Sequence, residues 1–342
     1  MLFGHGSDIY KFTNKIVADF SSNVWYEGMP DALREHLKNK LSNIEHYPSP
    51  DAGELARALA DLHQLSASNI LPTNGATEAF YLIAQCFSKT KTYIFYPSFS
   101  EYEDAAKVYQ HRIAYIHKDK IDSCPTFDAH SLVWIGNPNN PEGTILSVDL
   151  IKRLCTKNTQ SYFVIDEAYA ELFHGFESAV FLLRQCANLL IVRSLTKTFA
   201  IPGIRLGYVM ASEQITGKIK TLKMPWSVNA LAIEAGLFLL SDYKNRLPNT
   251  QKIAAQSKAF QEKLADISGL SVQASTGNYC LLKLAKGKAG DLKNYLIENE
   301  GLLIRDASNF KGLDQAYFRV SLQEESHNCK LINAIETWIS TL

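Results

Sequence analysis

Lys197 stands in an unusually apolar stretch, Asn188 to Gly207 (NLLIVRSLTKTFAIPGIRLG). Leu189 to Val192 are β-forming and apolar, and read as a short buried strand that ends in Ser194. An ammonium is costly to bury, so desolvation pushes such a lysine toward the neutral amine, which can form a Schiff base with a carbonyl. Ser194 and Arg205 flank it as candidate partners for an anion. Taken alone, the stretch also reads as a solvated loop with incidental charges. Two further groups could do chemistry: Asp166 and Tyr169, three apart, and Asn140 in the turn NPNNPEG. Asp166 by itself is equally a helix cap after a strand.

The elements around these residues are legible from spacing. Helices are expected from Pro30 through LREHLKNKL, over Glu54–His63, over 74–87 and over Glu101–Tyr109. Further helices are expected from a Ser147 cap through Lys157 and over Ala179–Cys186. Strands are expected at TYIFY (92–96), RIAYI, LVWIG (132–136), YFVID (162–166) and before Lys197. Such alternation indicates a three-layer, mostly parallel α/β sheet, whose ligands bind beyond the carboxyl ends of the strands. Asn140, Asp166 with Tyr169, and Ser194 with Lys197 all follow strands, so three segments converge on one edge. From about Ser227 helices at NALAIEAGLFLL, 245–267, 289–299 and 325–340 are interleaved with strands near VQAS, YCLLKL, LLIR and AYFRVSL. This reads as a smaller α+β domain, with residues 1–30 packed on it. The expected division is 31–230 for the large domain and 1–30 with 231–342 for the small one.

Composition narrows the function. The 342 residues balance 35 Lys+Arg against 35 Asp+Glu, so no overall field favours nucleic acid or an anionic membrane. Six scattered cysteines without a C-x-x-C pair suit reduced thiols in a cytoplasmic protein. The start, MLFGHGSDIYKF, has no signal-peptide pattern, and no apolar run reaches the roughly 20 residues of a membrane span. Ser194-Leu-Thr-Lys197 matches S-x-x-K, but the S-D-N and K-T-G elements of serine acyl-transfer enzymes do not occur. P-loop, dinucleotide and zinc motifs are also missing.

The ordered set NGAT, NPNNPEG, DEAY, SLTKTFAIPGIRLGY and YFRVSL resembles the fold-type I pyridoxal-phosphate enzymes of the class I/II aminotransferase family, over roughly 15–340. The resemblance implies that Lys197 holds the cofactor covalently and later moves protons at the substrate Cα. It implies that Asp166 pairs with the ring nitrogen and that Tyr169 and Asn140 bond the ring hydroxyl. Gly75, Ala76 and Thr77, at a helix start, would hold the cofactor phosphate with Ser194 and Arg205. Phe99, in PSFSEY, would stack on the ring, although taken alone such a residue is more often core than platform. Tyr47, in HYPSPDAG, would reach the phosphate of a neighbouring subunit, implying a homodimer with shared sites.

The substrate end carries two arginines. Arg319, in YFRVSL, matches the family's carboxylate clamp, and Arg305 lies on a neighbouring strand. The pair suggests a substrate with two anionic groups, as in the family's threonine-phosphate decarboxylases and histidinol-phosphate aminotransferases. GHGSDI followed by VADFSSN is similar to the decarboxylases' opening, which puts His5 and Asn23 near the substrate. Against that, VWYEGMP stands where those enzymes have a Pro-Leu-Gly-Pro segment, and NPEG replaces NPTG. The expected activity is decarboxylation of L-threonine O-3-phosphate to (R)-1-amino-2-propanol O-2-phosphate, in cobalamin biosynthesis. The alternative is transamination, with histidinol phosphate as one substrate.

Overall fold

The computed structural model describes residues 6–12 and 16–342. The chain enters through a two-residue strand, β1 (Ala18–Asp19). Seven strands then form the large sheet: β2 (Ile70–Thr73), β3 (Lys91–Tyr96), β4 (Arg112–His117), β5 (Leu132–Gly136), β6 (Tyr162–Asp166), β7 (Leu189–Ser194) and β8 (Gly207–Ala211). Their order is β2-β8-β7-β6-β5-β3-β4. Neighbours from β7 to β4 are parallel, and β8 alone runs antiparallel, to both β7 and β2. Both faces are covered, which explains why β5 and the first four residues of β7, Leu189–Val192, are apolar without interruption. Val133, Ile135, Leu189 and Ile191 enter one core, while Leu132, Trp134, Leu190 and Val192 enter the other. Ser147 accepts from the Leu150 N–H and starts the helix Val148–Lys157, as its spacing predicts.

This sheet sets the stage for the site by ending β5, β6 and β7 at a common edge. Gly136 lies opposite Asp166, and Asp166 opposite Val192. The segments that follow these strands therefore emerge side by side.

A second layer set lies C-terminal. β9 (Leu270–Val272), β10 (Tyr279–Leu284), β12 (Arg305–Asp306) and β13 (Tyr317–Ser321) form an antiparallel sheet, while β11 (Leu302–Leu303) pairs in parallel with β1. Helices Thr250–Ala265, Ala289–Glu300 and Glu325–Ser340 complete it. Phe20 and Trp25 share this core with Leu282, Phe318, Val320 and Leu331. Tyr169 joins the same core from the turn after β6, its ring 5.0 Å from that of Tyr279.

Several elements differ from expectation. β2 is an additional strand, at the sheet edge, where its Pro72 is tolerated. Ala179–Arg184 is a 3-10 helix instead of an α-helix through Cys186. The strand expected near VQAS lies earlier, at β9, and LLIR divides between β11 and β12 in different sheets. The helix expected over 245–267 begins at Thr250, after a one-turn helix Tyr243–Arg246. All six cysteines are free, with Cys155, Cys186 and Cys280 buried.

Candidate active site

A cavity of about 400 Å³ opens where the ends of β5, β6 and β7 meet the N-terminus of the helix Gly75–Cys86. Lys197, Asp166, Tyr169, Asn140, Ser194, Arg205, Ala76, Thr77 and Phe99 line it, together with Arg305 and Arg319. Gly75 and Asn23 sit one residue from lining positions. Tyr47 is outside, 85% exposed, with its ring 5.1 Å from that of Trp226. His5 lies outside the described residues.

Lys197 is half-buried, and the surface it keeps faces this cavity. Its Nζ donates to the Ser22 carbonyl at 3.3 Å. Desolvation first, then the positive charges of Arg319 and Arg205, lower its pKa to about 8, with Asp19 acting the other way. Lys197 can therefore supply a free amine near neutral pH, which an ordinary surface lysine cannot.

Asp166, at the last position of β6, is buried, and burial raises its carboxyl to about 6. Two donors oppose that shift. The Tyr102 hydroxyl donates to Oδ2 at 2.5 Å and the Ala168 N–H to Oδ1 at 3.0 Å. A cationic partner would lower this carboxyl further.

Of the asparagines after β5, only Asn140 lines the cavity. Asn137 braces the turn through the Leu146 backbone, and Asn139 donates to the Pro97 carbonyl and to Glu142. Asn140 Oδ1 accepts from Arg319 Nη1, which leaves its Nδ2 donor for a ligand. Asn23, fully buried at φ +56°, lies beside the Tyr169 hydroxyl, and its amide has no well-aligned hydrogen bond among the described residues.

An anion cradle lies at the start of the helix Gly75–Cys86, whose first N–H groups have no intrahelical acceptors. Gly75 has φ +78°, and a Cβ there would fall 2.3 Å from the Arg205 guanidinium. A Cβ at Gly207 would fall 2.6 Å from the Ala76 nitrogen. Both glycines are thus needed for the helix start, β8 and Arg205 to approach each other. Ser194 and Thr196 share a hydrogen bond of 2.8 Å beside them.

Arg305 and Arg319 occupy directly opposed positions of β12 and β13, and both are more than nine-tenths buried. Like charges facing each other across a sheet are unfavourable. Desolvation, then Arg319, lowers Arg305 to about 10. Arg319 donates to neutral acceptors, Asn140 Oδ1 and the Ser21 carbonyl, and Arg305 Nη2 donates to Asn309 Oδ1 at 2.6 Å. Asp306 and Asp8 act the other way on Arg305, and Asp19 on Arg319, while both arginines line the one cavity.

Tyr102 and Thr196 were not singled out by sequence reasoning, although both line the cavity. Tyr102 lies in the first turn of the helix Glu101–Val108 and Thr196 just beyond β7, and no spacing in the sequence links Tyr102 to Asp166.

The family model described as aminotransferase class I and II matches residues 15–335. The chain belongs to this family. It is similar to the threonine-phosphate decarboxylase of Salmonella typhimurium, 31% identical over 328 residues, covering 93% of this chain and 90% of that one. A histidinol-phosphate aminotransferase of Ruminiclostridium cellulolyticum is 28% identical over 323 residues, 90% and 88% of the two chains. Among solved structures, the L-threonine-O-3-phosphate decarboxylase from Porphyromonas gingivalis superposes with a TM-score of 0.90 at 37% identity, covering 94% and 99%. The fold is that of the type I pyridoxal-phosphate transferases, and the cofactor is pyridoxal 5'-phosphate. The cavity suits that group: a cradle that a Cβ would fill, a lysine poised as an amine, and a buried carboxylate. Among the described residues no helix is long and apolar enough to cross a membrane.

Proposed function

We propose that this chain is a cytoplasmic pyridoxal-phosphate carboxy-lyase that converts L-threonine O-3-phosphate to (R)-1-amino-2-propanol O-2-phosphate, a step of cobalamin biosynthesis. The observation that carries this reading is the opposed buried pair Arg305 and Arg319 in the cavity that also holds Lys197. Threonine phosphate presents a carboxylate and a phosphate on one short skeleton, which suits two arginines that line one cavity. Similarity to threonine-phosphate decarboxylases along nearly the whole chain supports it.

When bound, pyridoxal phosphate supplies an aldehyde for the substrate amine and a ring that accepts the electrons released at Cα. The chain's own residues do the rest. Gly75, Ala76, Thr77, Ser194 and Arg205 anchor the phosphate, and Phe99 covers the ring. Tyr169 and the Asn140 Nδ2 donate to the ring hydroxyl, and Asp166 faces the ring nitrogen. Arg319 and Arg305, with Asn23 and, on the sequence resemblance, His5, would hold the two anions and so orient the substrate's Cα–carboxylate bond. Lys197 then returns a proton to Cα. Residues 31–230 form the cofactor-binding domain in this reading, and 1–30 with 231–342 the smaller one. Tyr47 reaches the cofactor phosphate of a second copy in a homodimer, which accounts for its exposure in one chain.

Transamination is the second reading, supported by the similarity to histidinol-phosphate aminotransferases. It differs in which bond at Cα breaks, that to hydrogen instead of that to the carboxylate. Incubation with cofactor and threonine phosphate separates the two: carbon dioxide release without any keto acid is expected, and turnover that strictly requires a keto acid would overturn the proposal.

A further inference from the structure

We infer that Tyr102 is a positioning residue for the cofactor: its hydroxyl holds Asp166 as an oriented carboxylate facing the ring nitrogen. This rests on the reading of Asp166 proposed above and extends it to a residue outside the sequence motifs.

The geometry is specific. Asp166 is enclosed, and the two described hydrogen bonds to its carboxylate come from one backbone amide, that of Ala168, and one side chain, that of Tyr102. The phenol bond is the shorter, at 2.5 Å. Tyr102 itself is 2% exposed and cannot swing away. Its ring lies flat on Trp134, centroids 5.3 Å apart at 10°, and meets Phe80 edge-on at 5.1 Å and 88°. A third contact, with Phe99, has the rings 6.0 Å apart at 86°. The aim of the hydroxyl is thus set by three aromatic neighbours, one of them the ring proposed to stack on the cofactor.

Electrostatics gives that bond a task. Burial favours the neutral acid at Asp166, and the neighbouring Glu167 charge works in the same direction. The neutral acid would lose the charge that keeps a pyridine nitrogen protonated. The phenol and the Ala168 amide favour the charged form, and only the phenol can be removed by substitution. A buried tyrosine also needs a hydrogen-bond partner for its own sake, so a purely structural role must be separated from this one.

Tyr102→Phe keeps the ring and its stacking while deleting the donor. In the apoprotein, isotope-edited infrared spectroscopy of aspartate carboxyls, with Asp166→Asn as the reference, reads the titration of Asp166 directly. Its midpoint is expected to rise by about one pH unit or more, since hydrogen bonds to the charged form are what favour it. The dissociation constant for pyridoxal phosphate at neutral pH is expected to rise about tenfold, and to be unaffected by Tyr102→Phe when Asp166→Asn is already present. An unmoved midpoint, or an equal loss of affinity in both backgrounds, overturns the inference. Should Asp166→Asn alone leave cofactor affinity unchanged, the reading of Asp166 itself fails. If Tyr102→Phe does not fold, 3-fluorotyrosine at 102, a stronger donor, must lower the Asp166 midpoint; no shift, or an upward one, overturns the inference equally.

Discussion

The two walls of the cavity are built by different means. The wall proposed to hold the cofactor is carried on neighbouring strand ends of one sheet, where Asp166 ends β6 and Asn140 and Lys197 follow β5 and β7 within a few residues. The substrate wall is assembled from distant parts of the chain, as the bond from Arg319 to the Ser21 carbonyl spans 298 residues. A sheet buried on both faces fixes its strand ends tightly, so the cofactor groups are preorganised by the backbone itself. The substrate groups depend on a small sheet and an N-terminal segment crossing it.

Variants on each wall should therefore fail differently. The largest effect is expected for Lys197→Ala, a drop in kcat of about 10⁴-fold or more, since both the covalent attachment and the proton donor vanish. Steady-state kinetics within tenfold of the parent would break the comparison. Next is a stability effect on the same wall. The folded pKa of Asp166, about 6, lies above the ordinary carboxylate value of 3.8, so the folded form binds more protons between them. Its contribution is present below about pH 4 and is lost as pH rises through 6. Denaturant unfolding of the apoprotein should show Asp166→Asn gaining on the order of 3 kcal/mol over the parent at pH 7, and nothing at pH 3.5. An equal difference at both pH values would refute the assignment.

On the substrate wall, Arg319→Lys should lower kcat/KM for threonine phosphate about 100-fold through loss of the planar fork. Cofactor affinity should stay within about threefold, and a parallel loss of both would merge the two walls into one. The smallest effect is expected for Gly75→Ala, where the new methyl meets the Arg205 guanidinium and the backbone already sits at φ +78°. Equilibrium titration should show cofactor affinity weakened about tenfold, with the KM of the loaded enzyme unchanged.

The same contrast governs what could be read from sequence. β5, β6 and β10 begin and end where LVWIG, YFVID and YCLLKL do, because burial along most of each strand leaves short apolar runs, with Lys283 of β10 exposed. β2 escaped because Pro72 lies within four residues of edge strand. β11 and β12 were joined because LLIR is one apolar run, and only tertiary pairing sends Leu302 to β1 and Arg305 to β13. Tyr102 was invisible for a related reason: its partner Asp166 is 64 residues away, and spacing along one helix says nothing about another strand's end. Tyr47 shows the limit of reading a single chain, since nothing within it explains an exposed tyrosine beside Trp226.

The central claim is that the amine just beyond β7 is the attachment point. Borohydride reduction of the cofactor-loaded protein, followed by peptide mapping by mass spectrometry, tests it most directly. The account predicts the reduced cofactor's mass on the peptide containing Lys197 and on no other lysine; a label on another lysine, or none at all on Lys197, would contradict it.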